Sequence, residues 1–198
     1  MKNLKVVFFG TPDFAAKSLE AIHQSHHEIV GVVTVADKPS GRGQKLTESP
    51  VKKYAVENNL PVFQPEKLRN PEFLDEMRKL EADVFVVVAF RMMPKVLFEM
   101  PKLGTFNLHA SLLPDYRGAA PINFAIINGE EKTGATTFFI NEKIDEGNIL
   151  LQEELPISPD ENAGSLHDRL MEMGAKLVVK TIDGLAENSI TEQPQPQV

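Results

Sequence analysis

The sequence predicts an α/β fold of Rossmann-like type, a mostly parallel sheet with helices on both faces. Three observations carry that expectation. Short, almost wholly apolar runs recur at residues 4–9, 28–35 and 83–90, and strands apolar on both sides belong to sheets covered on both sides. Segments with helical spacing separate these runs, and strand–helix alternation is the pattern of a parallel sheet. With 198 residues, 42% hydrophobic and 25% charged, the chain has the size and composition of one globular domain.

The first strand spans residues 4–9 and stops at Gly10. Thr11-Pro12-Asp13 then opens a helix, Thr11 being able to cap free amides and Pro12 suiting the first turn. Phe14, Leu19 and Ile22 fall on one side of it. Residues 28–35 (EIVGVVTV) form the second strand. Pro39, Gly41 and Gly43 then break the pattern, so residues 36–49 read as a long loop. A short helix at 50–58, a short strand at 61–63 and a helix at 71–80 follow. Residues 83–90 (DVFVVVAF) make the most apolar strand of the chain. Next come a helical piece at 94–98, a strand at 104–109, a loop at 111–121 and a helix ending near Asn128-Gly129. Two strands, 135–140 and 148–155, flank a turn at 141–147 that is short enough to make them an antiparallel edge. The last helix covers 165–185, with Leu166, Leu170, Met173 and Leu177 along one stripe. The chain carries no internal repeat, and its tail, TEQPQPQV, has the composition of a linker.

Composition narrows the function classes. The chain has no cysteine, which excludes disulfides, thiolate-bound zinc and a cysteine nucleophile. No apolar stretch approaches the roughly 18 residues that span a bilayer. The apolar run after Lys5 is short and leads into Gly10-Thr11-Pro12-Asp13, as a first strand does and a signal peptide does not. A cytoplasmic protein is expected. The net charge of −7 argues against broad nonspecific binding to nucleic acid, so a polyanionic substrate would need a local basic patch.

In open α/β sheets, ligands settle beyond the carboxyl ends of strands where the strand order reverses. Gly10-Thr11-Pro12, Phe90-Arg91-Met92-Met93 and Asn107-Leu108-His109 leave such ends, and they converge if the first strand neighbours strand 83–90. Alternate strand residues face one side, so Asn107 and His109 present a carboxamide and an imidazole together. Alone, a strand-end Asn and His serve equally well to cap backbone groups. Asp145, within Asp-Glu-Gly, is equally good turn chemistry. Within residues 37–45 of that loop, Lys38, Arg42 and Lys45 stand against one acid, Asp37, and suit phosphate contacts; a solvated surface loop has the same composition. Gly41-x-Gly43 lacks the third glycine of a dinucleotide fingerprint and does not directly follow a strand. His23, His26 and His27 cluster near a helix end with no carboxylate at ligand spacing, so no metal site is expected, and His167 reads as solvated.

The run Asn-x-His-x-Ser-Leu-Leu-Pro-x-Tyr-Arg-Gly at residues 107–118 resembles the signature of the folate-dependent formyltransferases. Within that superfamily the likeness is closest to the methionyl-tRNA formyltransferases. Further matches are Phe9-Gly10-Thr11-Pro12-Asp13-Phe14, Asp37-Lys38-Pro39 with Gly41-Arg42-Gly43 and Lys45, Gly118-Ala119-Ala120-Pro121-Ile122, and Asp145-x-Gly147. They share one order and cover nearly the whole chain.

The resemblance implies that Asn107, His109 and Asp145 are the catalytic trio. It implies 10-formyltetrahydrofolate as formyl donor, the amino group of initiator methionyl-tRNA as acceptor, and no metal. Phe90, Arg91, Met92 and Met93 are then expected to bind the pterin ring, largely through backbone groups, although Met92 and Met93 also suit core packing. Ser111, Leu112, Leu113 and Pro114 would line the same pocket, with Tyr116 and Arg117 stabilising the loop. Lys38, Arg42 and Lys45 would contact the acceptor arm of the tRNA. Residues 1–188 would form the catalytic domain, and 189–198 the start of a linker to a C-terminal tRNA-binding domain that lies outside this chain. A monomer is expected. The competing readings are glycinamide ribonucleotide formyltransferase, a sugar-nucleotide amine formyltransferase, and a noncatalytic folate- or tRNA-binding module.

Overall fold

Alternation of side chains along the strands builds two cores. In β1 (Lys5–Gly10), Val6 and Phe8 enter one core and Val7 and Phe9 the other. The computed structural model describes residues 2–198. After β1 come α1 (Asp13–His23), β2 (Glu28–Val33), a small hairpin of β3 (Lys38–Ser40) and β4 (Lys45–Thr47), then α2 (Pro50–Glu57), β5 (Val62–Phe63) and α3 (Pro71–Lys79). The chain continues through β6 (Val84–Val88), α4 (Lys95–Phe98), β7 (Thr105–His109), α5 (Pro121–Ile127), β8 (Lys132–Phe139), β9 (Ile149–Pro156) and α6 (Ala163–Ala186). Among the described residues the main sheet runs β5-β2-β1-β6-β7-β8-β9. The first five strands in that order are parallel, β8 is antiparallel to β7, and β9 is antiparallel to β8. Helices α1, α2 and α6 contribute Leu19, Val51, Leu170 and Val178 to one core; α3 and α4 contribute Phe73, Met77 and Leu97 to the other.

Local chemistry explains the helix starts. Asn70 accepts from the backbone N–H groups of Glu72 and Phe73, Pro71 occupies the first turn, and Arg78 and Lys79 sit in the last, matching cap and dipole preferences. Ser49 caps α2 through Lys52 N–H. Asn162 caps α6 through Ser165 N–H, so that helix begins two residues before the expected start at 165. Thr11 does not cap α1: Pro12 occupies the cap position without a side-chain bond, and the Thr11 carbonyl accepts from Val51 N–H instead.

Residues 36–49 are not wholly a loop. Lys38 pairs with Thr47 and Ser40 with Lys45, and the Ser40 and Thr47 hydroxyls hydrogen-bond across the hairpin. Every strand residue of this hairpin is exposed, so no apolar alternation marks it in the sequence. The strand expected at 83–90 runs only from Val84 to Val88; at its carboxyl end Ala89 turns into the left-handed region at φ 49°, and Phe90 faces the cleft.

Candidate active site

The strand order reverses between β1 and β6. Gly10 pairs with Val88, and Val87 pairs with Asn107 of β7, so the carboxyl ends of β1, β6 and β7 lie side by side. Gly10 makes this close approach possible: a Cβ there would lie 2.6 Å from the Ala15 Cβ and 2.8 Å from the Val88 carbonyl. A cleft of about 920 Å³ opens above, lined by Phe90, Arg91, Asn107, His109, Asp145 and His167 among others. A smaller apolar slot of about 230 Å³ adjoins it, walled by Val87, Met93, Phe138, Ile140 and Ile144 and sharing Asn107 and Asp145 with the cleft.

Asn107, His109 and Asp145 meet there. Alternation on β7 places Asn107 and His109 on one face while Phe106 and Leu108 enter the core below. Asn107 Oδ1 is buried with no hydrogen-bond partner among the described residues, and a buried polar atom in that condition costs about 1–3 kcal/mol until a ligand satisfies it. His109 Nε2 donates to the Tyr116 carbonyl at 2.7 Å, which fixes that tautomer and turns Nδ1 toward Asp145 Oδ2, 3.6 Å away. The two side chains are only 9% and 11% exposed. Asp145 reaches the strand ends because the 141–147 segment folds back over them. Its φ is 55°, and its Oδ2 accepts from Gly118 N–H at 2.7 Å. Turn chemistry and charge placement therefore coincide in Asp145. At Gly147 a Cβ would overlap the Phe139 carbonyl, so only glycine lets the turn close this tightly.

The other expected site residues divide. Phe90, Arg91, Met92 and Met93 all line the smaller slot. Phe90 packs on Phe9 with ring centres 5.8 Å apart. Arg91 lies over the Phe90 ring and donates to the Pro65 and Glu66 carbonyls at 2.6 and 2.7 Å, and burial lowers its guanidinium below the ordinary value. Met93 is buried in the core and Met92 is 66% exposed at the rim. Ser111, Leu112, Leu113 and Pro114 line neither cavity. Ser111 donates to the Asp115 carbonyl, and Leu113 bonds Thr136 and Gln152 through its backbone. These four residues shape the loop that sends Tyr116 and Gly118 to the trio. The Tyr116 hydroxyl donates to Glu130 at 2.6 Å, and that bond raises its pKa.

Lys38, Arg42 and Lys45 stand exposed on the hairpin, away from both cavities, and make no ion pair among the described residues. Asp37, which directly precedes the hairpin, turns inward to Lys52 and Gln64, whose hydrogen bonds hold its carboxyl below the ordinary value. The carboxylate missing beside His26 and His27 in sequence comes from Asp183 on α6. There Leu4 N–H donates to His27 Nδ1 at 3.1 Å, so the ring proton sits on Nε2 and donates to Asp183 at 2.6 Å. That proton blocks the nitrogen a cation would need. His167, expected to be solvated, is half-exposed, stands edge-on to Phe14 and lines the cleft. No spacing in the sequence pairs Phe14 with His167, since only the packing of α1 on α6 brings them together.

A parallel sheet with its cleft at the switch point, a carboxamide–imidazole–carboxylate trio and an adjoining apolar slot define a Rossmann-like group transferase. The chain belongs to the formyl transferase family, whose model matches residues 4–182. Methionyl-tRNA formyltransferases align at 49–58% identity. That of Flavobacterium johnsoniae is 56% identical over 190 residues, covering 96% of this chain and 60% of its own length. The chain thus spans about three-fifths of the relatives it matches. Among solved structures, glycinamide ribonucleotide transformylase 1 of Symbiobacterium toebii superposes with a TM-score of 0.80 at 15% identity, over 98% of this chain and 95% of that one, a likeness of fold. An N-formyltransferase of Helicobacter canadensis, solved with folinic acid and dTDP-3-aminofucose, gives 0.75 at 28% identity over 98% and 68%.

Proposed function

We propose that this chain carries the catalytic site for transfer of a formyl group from 10-formyltetrahydrofolate to the amino group of initiator methionyl-tRNA, a reaction of translation initiation in the cytoplasm. The observation that carries the reading is the convergence of Asn107, His109 and Asp145 on one cleft, although helix α5 and strand β8 separate Asp145 from His109 along the chain. Identity to the methionyl-tRNA enzymes supports the acceptor, and the folinic acid complex of the Helicobacter canadensis protein supports a folate donor. The apolar slot beside Asn107, backed by Met93, Phe138 and Ile140, fits a flat heterocycle. The donor supplies an activated formyl carbon.

The residues then divide the work. As the amine nitrogen bonds to that carbon, negative charge grows on the formyl oxygen. The Asn107 carboxamide, its Oδ1 buried and unpaired among the described residues, can donate to that oxygen with one end while the other meets the bound donor; a donor so placed contributes about 3–4 kcal/mol. The amine must also lose a proton. His109 is held by the Tyr116 carbonyl with Nδ1 toward Asp145, so a proton arriving at Nδ1 faces a carboxylate. When the carbon–nitrogen bond of the donor breaks, that proton returns to the leaving nitrogen. Lys38, Arg42 and Lys45 would hold the phosphates of the acceptor arm.

The test is a transfer assay with both methionyl-tRNA and glycinamide ribonucleotide as acceptors. Formylation of methionyl-tRNA is expected, and His109→Ala should lower turnover at least about 100-fold while the domain stays folded. Transfer to glycinamide ribonucleotide alone would replace this reading with its rival, and a folate-binding chain indifferent to His109→Ala would be a noncatalytic module.

A further inference from the structure

The chain beyond α6 turns back to the site. Gln193 and Ile149 exchange two backbone hydrogen bonds, 2.7 and 2.9 Å long, which brings Gln195 behind the catalytic turn. Its Nε2 donates to the carbonyls of both Asp145 and Gly147, each at 2.8 Å. Its Oε1 accepts from Arg117 Nε at 3.1 Å and Arg117 Nη2 at 2.9 Å. Two donors and two lone pairs are the whole capacity of a carboxamide, and all four are used. We propose that Gln195 is a positioning residue that sets the Asp145 carboxylate against His109 by clamping the 116–118 and 145–147 segments together.

The two clamped segments are those that define the trio. Residues 116–118 supply the Tyr116 carbonyl that holds His109 and the Gly118 N–H that holds Asp145. Residues 145–147 supply Asp145 itself, whose φ of 55° is a strained value for a side chain with a Cβ and persists only when neighbours enforce it. Few other ties do so. The paired part of β8 and β9 ends at Phe138 and Ile149, followed by one bond from Phe139 N–H to the Asn148 carbonyl. The ion pairs of Glu146 with Arg117 and Lys143 are both 3.7 Å long. Without the Gln195 donors, the peptide around Asp145 is free to rotate toward negative φ, which swings the carboxylate away from Gly118 and His109. Residues 189–198 have the composition of a linker, and no motif marks Gln195, because its partners lie 78, 50 and 48 positions away.

The inference rests on the proposed formyl transfer, and its test separates the two. In Gln195→Ala, kcat for methionyl-tRNA should fall about 10–100-fold, as an ångström-scale misplacement does. The donor KM should change less than kcat, because Val87, Met93, Phe138 and Ile140, which back the slot, do not touch Gln195. Gln195→Glu keeps the size and the acceptor for Arg117 but turns an oxygen on the two carbonyls, so it should fall at least as far; it is read in place of the alanine variant if that one melts early. The Gly118 amide proton, which reports the Asp145 carboxylate directly, should move upfield and exchange faster with solvent in both variants. Normal kcat in a folded variant overturns the inference, as does loss of kcat with an unmoved Gly118 amide. If the unaltered chain formylates neither acceptor, the functional reading falls, and the Gly118 amide alone decides whether Gln195 positions Asp145.

Discussion

Replacing Asp145 by Asn isolates the carboxylate charge. The amide keeps the side-chain shape and can still accept from Gly118 N–H, but it no longer sets a full negative charge 3.6 Å from His109 Nδ1. With both side chains about nine-tenths buried and an effective dielectric of about 20, two unit charges at that separation attract by about 5 kcal/mol. The Asn dipole retains part of this, leaving a loss of about 2–4 kcal/mol, or roughly 30–1000-fold in kcat. Single-turnover formyl transfer to methionyl-tRNA measures it, with folate-analogue binding and thermal melting as controls. Both controls should match the unaltered chain, because the variant removes charge and no packing. A kcat within about threefold of the original would mean that Asp145 serves the turn and not the proton, and the mechanism above would have to be abandoned.

Three further outcomes follow from the same geometry. Lys38→Ala, Arg42→Ala and Lys45→Ala together should weaken tRNA binding and flatten its salt dependence by about two units of logarithmic slope, with folate binding unchanged; an unaltered slope would remove the hairpin from the tRNA interface. Gly147→Ala forces a methyl onto the Phe139 carbonyl, which costs about 1–3 kcal/mol and about 2–4 °C of Tm for each kcal/mol, and a melting curve that does not move would contradict the tight turn. Asp37 titrates below its ordinary 3.8 because Lys52 and Gln64 bond its charged form. Its contribution to stability is therefore complete above that ordinary value and is lost as pH falls through the depressed one. Urea midpoints of the original chain and Asp37→Asn should differ at pH 6 and converge in strong acid; a gap independent of pH would refute the linkage.

Much of the fold was legible because the sheet writes itself in apolar runs. The central strand stands out in VFVVV, and the Asn-x-His spacing on β7 already implies one shared face. The cap residues Asn70 and Ser49 with their following prolines mark helix starts by local chemistry alone. What escaped depends on contacts that cross the chain. The exposed hairpin at 38–47 has no buried face to impose alternation, and Thr11 lost the cap to Pro12. Asp183 reaches His27 from 156 positions away, and His167 joins the cleft only because α6 packs on α1. Ser111–Pro114 sit inside the most recognisable motif, yet their side chains and backbone support the loop and do not line the cavities.

The outermost strand, β9, bears on how the protein behaves at high concentration. An open sheet margin is a template for a second molecule, and here it is discouraged along its length. Glu153 and Glu154 pair with Lys180 and Lys132, Pro156 closes one end, and the returning chain at Gln193 covers the other by bonding Ile149. Trimming the polypeptide before Gln193 would bare the Ile149 backbone next to Leu150 and Leu151. Such a shortened form is expected to self-associate strand to strand while the longer one stays dispersed.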